Sequence, residues 1–140
     1  VTGMVTITAE YLGELHCRAV HQPSGMTLET DAPKDNHGRG AAFSPTDLCA
    51  TALLTCMATV MGLKARTIGY DLAGLKMEVR KDMTAAPPRR IACLEVLFHF
   101  PRPADEPTRE ALRVAAETCP VHRSLSPDVA VHTTYHWPES

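Results

Sequence analysis

The sequence predicts an α+β fold in which antiparallel sheets surround a long central helix. Three observations favour this class. Short alternating runs typical of strands occupy the first thirty residues, an almost purely apolar run extends from Leu48 to Leu63, and no strand-helix-strand repeat follows. Because 140 residues can bury one core, we expect a single domain over residues 1–140.

The N-terminal part predicts a meander of three strands. Apolar residues alternate with polar ones, and the turns between the runs contain Gly13 and Gly25. The runs cover residues 5–9, 14–20 and 26–30. A polar, glycine-rich loop from Ala32 to Gly40 follows and carries Arg39. Loops of this kind often contribute functional side chains.

The segment that begins at Ser44 predicts the central helix. Ser44 is suited to the N-cap, Pro45 to the first turn, and Asp47 to the position where a carboxylate favours a helix N-terminus. The helix is expected to continue to about Arg66 and to end at Gly69. Its side chains are apolar or small on all sides, so we expect it to be surrounded, in part by a second copy of the chain.

The remaining sequence predicts two strands, a helix and a last strand. The alternating runs cover Leu75–Lys81, Ala92–Phe100 and Asp128–Trp137. The second helix opens at Asp105, and Pro120 is expected to end it just after Cys119.

Composition argues against several classes of partner and location. A net charge of -2, with 14 basic and 16 acidic residues, predicts no binding to nucleic acid or to an anionic membrane. The apolar run from Leu48 to Leu63 is shorter than the roughly 20 residues that cross a bilayer. The N-terminal residues lack the pattern of a secretory signal, so we expect a cytoplasmic protein without a membrane span.

Five cysteines at irregular spacing do not form the framework of a disulfide-rich secreted protein. Cys56 lies in the apolar helix and Cys119 stands directly before a proline, where a thiol can be presented. Cys49 is separated from Cys56 by roughly 10 Å of helix rise, beyond the reach of a disulfide. Cys17 and Cys93 lie in predicted strands and are interpreted as small, half-buried residues.

A reactive Cys56 needs a nearby cation, and the sequence offers several. They are Arg18, Arg39, His122 and Arg123. A metal site formed by Cys56, Cys119 and His122 is an alternative, although no companion CxxC or HxxxH motif supports it. The other histidines are scattered and are interpreted as exposed or strand-surface residues: His16, His21, His37, His99, His132 and His136.

At two motifs the chain resembles the OsmC/Ohr superfamily of osmotically inducible and organic hydroperoxide resistance proteins. The first is Ser44-Pro-Thr-Asp-Leu48 with Cys56 eight residues later, and the second is Cys119-Pro-Val-His-Arg-Ser-Leu125 before a final strand. The resemblance covers nearly the whole chain from about Thr6. It implies an intertwined homodimer with two long helices back to back, sheets outside them, and both cysteines at the subunit interface.

The resemblance also implies a function. Cys56 would be the thiolate that a small organic hydroperoxide oxidises, Cys119 would resolve the sulfenic acid to a disulfide, and a dithiol would restore both, with no cofactor or metal. The family's activating glutamate falls at Thr46 or Asp47 here, and Asp47 can instead be only a helix cap. For the activating arginine we prefer Arg39 to Arg18. The competing hypothesis is a dimer that binds a small ligand or senses redox state with little turnover.

Overall fold

The computed structural model describes residues 3–140, so the first two residues of the predicted domain lie outside the described residues. The described chain divides into two compact units, residues 3–48 and Cys49–Ser140. The predicted helices and strands occur in the predicted order, together with a short 3-10 helix (Lys34–Asn36) and a short helix before the last strand that were not predicted.

The first unit contains the predicted three-stranded meander. Strands β1 (Ile7–Gly13), β2 (His16–His21) and β3 (Thr27–Asp31) pair antiparallel in chain order. Gly13 and Gly25 have positive φ angles of 91° and 74°, which glycine adopts without strain, so each marks a turn as predicted.

The loop after β3 folds back onto the end of that strand. The amide of Asp31 donates to the Phe43 carbonyl at 3.1 Å, and the amide of Gly40 donates to the Ala32 carbonyl at 3.1 Å. Gly38 passes so close to Ala32 that a Cβ on it would lie 1.7 Å from the Ala32 oxygen. Only glycine fits there, and the loop therefore has a defined shape.

Helix α1 (Pro45–Ile68) is the predicted central helix, and Gly69 follows its end with a φ of 79°. Its buried side chains recur every three or four residues, as one face of a helix requires. They are Ala50, Leu53, Met57, Met61 and Ala65. Elsewhere on the helix Leu63 is 59% exposed, so an apolar surface remains outside the core.

By length and composition alone α1 also qualifies as a membrane span, with a mean hydropathy of 1.6.

The second unit contains a sheet of three strands, β4 (Lys76–Met83), β5 (Ile91–His99) and β6 (Ala130–His136). Strands β4 and β5 are antiparallel as expected, whereas β6 runs parallel to β5. The difference arises because helices α2 (Glu106–Glu117) and α3 (Pro120–Ser124) lie between β5 and β6 and form a crossover connection.

The core of this unit is a single cluster of apolar side chains from α1, β5 and α2. Its fully buried members include Leu53, Met57, Met61, Leu94, Phe98, Leu112 and Cys119. Burial of each large side chain contributes roughly 1.5–3 kcal/mol. The thiol of Cys119 is therefore placed in a rigid, close-packed environment.

Candidate active site

Cys119 lies between two helices rather than at the end of one. We predicted that Pro120 stops the second helix just after Cys119, and this is wrong in detail, because α2 ends at Glu117 and Pro120 opens α3. Proline is tolerated at the first helical position, where its missing N–H is not needed. Cys119 is the N-cap of α3, and its Sγ accepts a hydrogen bond from the His122 amide at 3.4 Å.

The structure brings Cys56 and Cys119 together within the second unit. Cys119 is fully buried in the apolar core, the half-buried Cys56 packs against the same core, and Cys56 raises the pKa of the Cys119 thiol through a hydrogen bond and its charge. All five cysteines are free thiols. Two thiols in contact, one of them accessible, form the arrangement that a dithiol to disulfide conversion requires.

Burial raises the pKa of the Cys119 thiol above its ordinary value of 9.0. The amide of His122 opposes this by stabilising the thiolate, while the hydrogen bond and charge interaction with Cys56 raise the pKa further. Near neutral pH Cys119 is consequently a protonated thiol that can donate to the Cys56 sulfur.

A polar network surrounds the turn that carries Cys119. The Glu117 carboxylate accepts from the Tyr135 hydroxyl at 2.9 Å and from Arg113 at 3.1 Å. The Glu117 carbonyl lies 3.0 Å from Nδ1 of His122. Sequence reasoning missed Glu117 and Tyr135, since neither belongs to a motif and their contact joins a helix end to a strand 18 residues later.

The two arginines considered for activation both lie in the first unit. Nε of Arg39 is 3.8 Å from Oδ2 of Asp31, whose side chain is completely buried. The same oxygen accepts from the Ala41 amide at 3.0 Å, so Asp31 holds the loop that presents Arg39. Arg18 instead lies 3.7 Å from Glu10 on the neighbouring strand. Sequence reasoning did not single out Asp31, because a lone aspartate at a strand end carries no signal of burial.

Asp47 occupies the first turn of α1 and participates in a reciprocal cap. Its Oδ2 accepts from the Ser44 amide at 2.9 Å, and the Asp47 amide donates to Oγ of Ser44 at 3.0 Å. Thr46, the other position considered for the family's glutamate, has its hydroxyl 3.2 Å from that of Ser44. The predicted helix start is thus confirmed in detail.

The three remaining cysteines are not placed in the site with Cys56 and Cys119. Cys17 and Cys93 are half-buried in strands, as interpreted from the sequence, and Cys49 is exposed on α1. Among residues 3–140, no group of three or more His, Cys, Asp or Glu side chains is arranged to hold a metal ion. The geometry therefore does not favour the metal site considered for Cys56, Cys119 and His122.

Comparison with known proteins gives consistent results. The model of the OsmC-like protein family matches residues 37–134. A crystal structure from Psychrobacter arcticus, provisionally described as an osmotic stress induced and detoxification response protein, is 42% identical with a TM-score of 0.91, and the match covers 97% of this chain and 98% of that chain. A search of curated proteins finds no match.

More distant structures share the fold. An organic hydroperoxide resistance protein, OsmC, of Legionella pneumophila is 17% identical with a TM-score of 0.76, covering 97% of this chain and 98% of that one. An organic hydroperoxide resistance protein of Elizabethkingia anophelis is 15% identical with a TM-score of 0.77, covering 99% and 100%. The predicted α+β class is therefore confirmed, although the sheet of the second unit is mixed rather than purely antiparallel.

Proposed function

Because this chain belongs to the OsmC-like protein family, we propose that it is a thiol-dependent peroxidase that reduces organic hydroperoxides to alcohols. The family includes proteins described as organic hydroperoxide resistance proteins. The observation that carries the proposal is the placement of the half-buried Cys56 and the buried Cys119 in one apolar cluster, where Cys56 raises the pKa of the Cys119 thiol.

The proposed reaction has two steps on the protein. The Cys56 thiolate attacks the outer oxygen of the hydroperoxide, so the O–O bond breaks, Cys56 becomes a sulfenic acid, and the alkoxide takes a proton to leave as an alcohol. The Cys119 sulfur then attacks the Cys56 sulfur and displaces water, which leaves a Cys56–Cys119 disulfide. A small dithiol reduces that disulfide and restores both thiols. The scheme uses no bound cofactor or metal.

Arg39 and Asp47 are proposed to orient and activate Cys56. A guanidinium near the thiol favours the thiolate, and a carboxylate beside the guanidinium fixes its direction. Arg39 is preferred to Arg18 because it lies in the loop that leads into α1, the helix that carries Cys56, and the buried Asp31 holds that loop. Asp47 would combine this role with its cap of α1.

We further propose a homodimer as the working form, in the cytoplasm and without a membrane span. Exposed apolar side chains on α1 and α2 support the dimer, since Leu63 is 59% and Val114 46% exposed. A reducing compartment suits a chain with five cysteines at irregular spacing.

Stopped-flow oxidation by cumene hydroperoxide tests the proposal. The wild-type protein should consume two thiols for each hydroperoxide, Cys56→Ser should consume none, and Cys119→Ser should stop at a sulfenic acid that dimedone traps. Cys49→Ser is the matched control on the same helix and should behave like the wild type. Equal reactivity of Cys56→Ser and wild type would refute the proposal, and no reaction at all would favour the ligand-binding or redox-sensing alternative.

A further inference from the structure

The turn that carries Cys119 is attached to the sheet of the second unit by an unusually direct contact. Tyr135 belongs to β6, and its hydroxyl donates to Oε2 of Glu117, the last residue of α2, at 2.9 Å. Glu117 is two residues before Cys119. A strand residue thereby fixes the end of the helix from which the Cys119 segment departs.

The Tyr135 ring is itself held firmly. It stacks on Phe98 with ring centroids 5.7 Å apart and on Phe100 at 6.3 Å, and Phe98 is completely buried. Stacked rings in a close-packed core leave the hydroxyl little freedom to move. The Tyr135 hydroxyl therefore holds the Glu117 carboxylate at a defined position.

Glu117 is bound on its other side and through its backbone as well. Its Oε1 accepts from Arg113 one helical turn earlier at 3.1 Å, and its carbonyl lies 3.0 Å from Nδ1 of His122. His122 in turn donates its amide to Sγ of Cys119 at 3.4 Å. A continuous chain of contacts thus leads from Tyr135 through Glu117 and His122 to the Cys119 sulfur.

We propose that Glu117 and Tyr135 are positioning residues that hold Cys119 in line with oxidised Cys56, so that the disulfide forms before a second hydroperoxide reaches Cys56. This inference rests on the function proposed above. The competing reaction transfers one more oxygen: Cys56 sulfenic acid and a second hydroperoxide give a sulfinic acid and an alcohol. Whichever step is faster decides whether the protein recycles or is inactivated.

The hydrogen bond between Tyr135 and Glu117 persists near neutral pH. Burial, together with the hydrogen bond and negative charge of Glu117, raises the pKa of Tyr135 well above its ordinary value of 10.0. The hydroxyl consequently stays protonated and continues to donate wherever the protein is folded near neutral pH.

Tyr135→Phe removes only the hydroxyl and keeps the stacked ring. It should slow disulfide formation by about threefold to tenfold, the factor that one net hydrogen bond corresponds to. The first oxidation of Cys56 should remain at the wild-type rate. Under excess cumene hydroperoxide the variant should accumulate more Cys56 sulfinic acid, which mass spectrometry detects as two added oxygens. A merely structural weakening would not change that ratio while leaving the first step intact.

Glu117→Ala should reproduce this behaviour, and Glu110→Ala is its matched control. Glu110 is the other carboxylate bound by Arg113, at 2.6 Å, but it makes none of the contacts that lead to Cys119. The double variant Tyr135→Phe with Glu117→Ala should be no slower than Glu117→Ala alone, because both changes break the same contact.

Diamide makes the test independent of the proposed peroxidase activity. One thiolate adds to the N=N bond of diamide, and the other thiol displaces the hydrazine to form the same disulfide. If the wild type does not react with hydroperoxide, the proposed function fails. The positioning role can still be tested, because the rate of diamide-driven Cys56–Cys119 disulfide formation can be compared between the variants and the wild type. The positioning role is overturned if Tyr135→Phe bridges within about twofold of wild type, or if Glu110→Ala is slowed as much as Glu117→Ala.

Discussion

The two thiols of the site differ in burial, and this difference supports the proposed order of their reaction. Cys119 is completely buried, and its burial raises its pKa, whereas Cys56 is half-buried on α1. In the proposed reaction a hydroperoxide reaches the more accessible sulfur first, and the thiolate is the form that attacks it. The buried thiol then needs only to meet the sulfur with which it already shares a hydrogen bond.

The rate of the resolving step should increase with pH. A raised pKa favours the neutral thiol, so the reactive thiolate fraction of Cys119 grows about tenfold per pH unit until the pH passes the raised pKa. Dimedone trapping of the sulfenic acid, measured between about pH 6 and pH 9, should show its lifetime shortening as pH increases. A lifetime that does not change with pH would contradict this assignment.

Two substitutions distinguish the capping role of Asp47 from its proposed activating role. Asp47→Asn should slow Cys56 oxidation by about tenfold or more, because it removes the carboxylate charge proposed to act together with Arg39 on Cys56. Ser44→Ala breaks the same cap but leaves that charge in place, and should oxidise at the wild-type rate. Equal rates for Asp47→Asn and Ser44→Ala in stopped flow would leave Asp47 as a cap only.

At the scale of elements, helix α1 should depend on its cap for stability. Ser44 is buried, and its hydroxyl accepts from the Asp47 amide while its own amide donates to the Asp47 carboxylate. Ser44→Ala should lower the free energy of unfolding by about 1 kcal/mol, measured by urea denaturation. Ser140→Ala, at the exposed end of the chain, should change it by much less. Equal stabilities of the two variants would contradict the capping account.

Elements with local signals were predictable, and long-range contacts were not. Ser44 to Asp47 marks a helix start and Gly69 its end through chemistry within a few residues. The parallel pairing of β6 depends on the path of the chain across two helices, which alternation in the strand does not contain. Pro120 is locally ambiguous, since proline both ends helices and begins them.

The residues of the candidate site also divide into those with a local sequence signal and those defined only by long-range contacts. Cys56 and Cys119 were singled out because they stand in recognisable motifs, and the structure packs both of them in one apolar cluster. Glu117 and Tyr135 were missed because their hydrogen bond exists only after α2 has packed against the sheet. No spacing rule in the sequence relates a helix end to the sixth residue of a later strand.

At the scale of the molecule, the exposed apolar side chains of the second unit should form a dimer interface. Leu63→Glu places a charge on α1 at the position that is 59% exposed, and burying an unpaired charge is costly. Sedimentation equilibrium should give twice the 15.2 kDa chain mass for wild type and less for Leu63→Glu. Lys76→Glu on β4 is the control and should sediment as wild type. A monomeric wild type would contradict the proposed dimer.

Peptide mass spectrometry after one equivalent of cumene hydroperoxide shows whether Cys56 and Cys119 act as one redox pair. We predict that the oxidised protein contains a Cys56–Cys119 disulfide, together with an equal amount of the alcohol, while Cys17, Cys49 and Cys93 remain reduced. A disulfide between other cysteines, or hydroperoxide consumed with both thiols still free, would contradict the account.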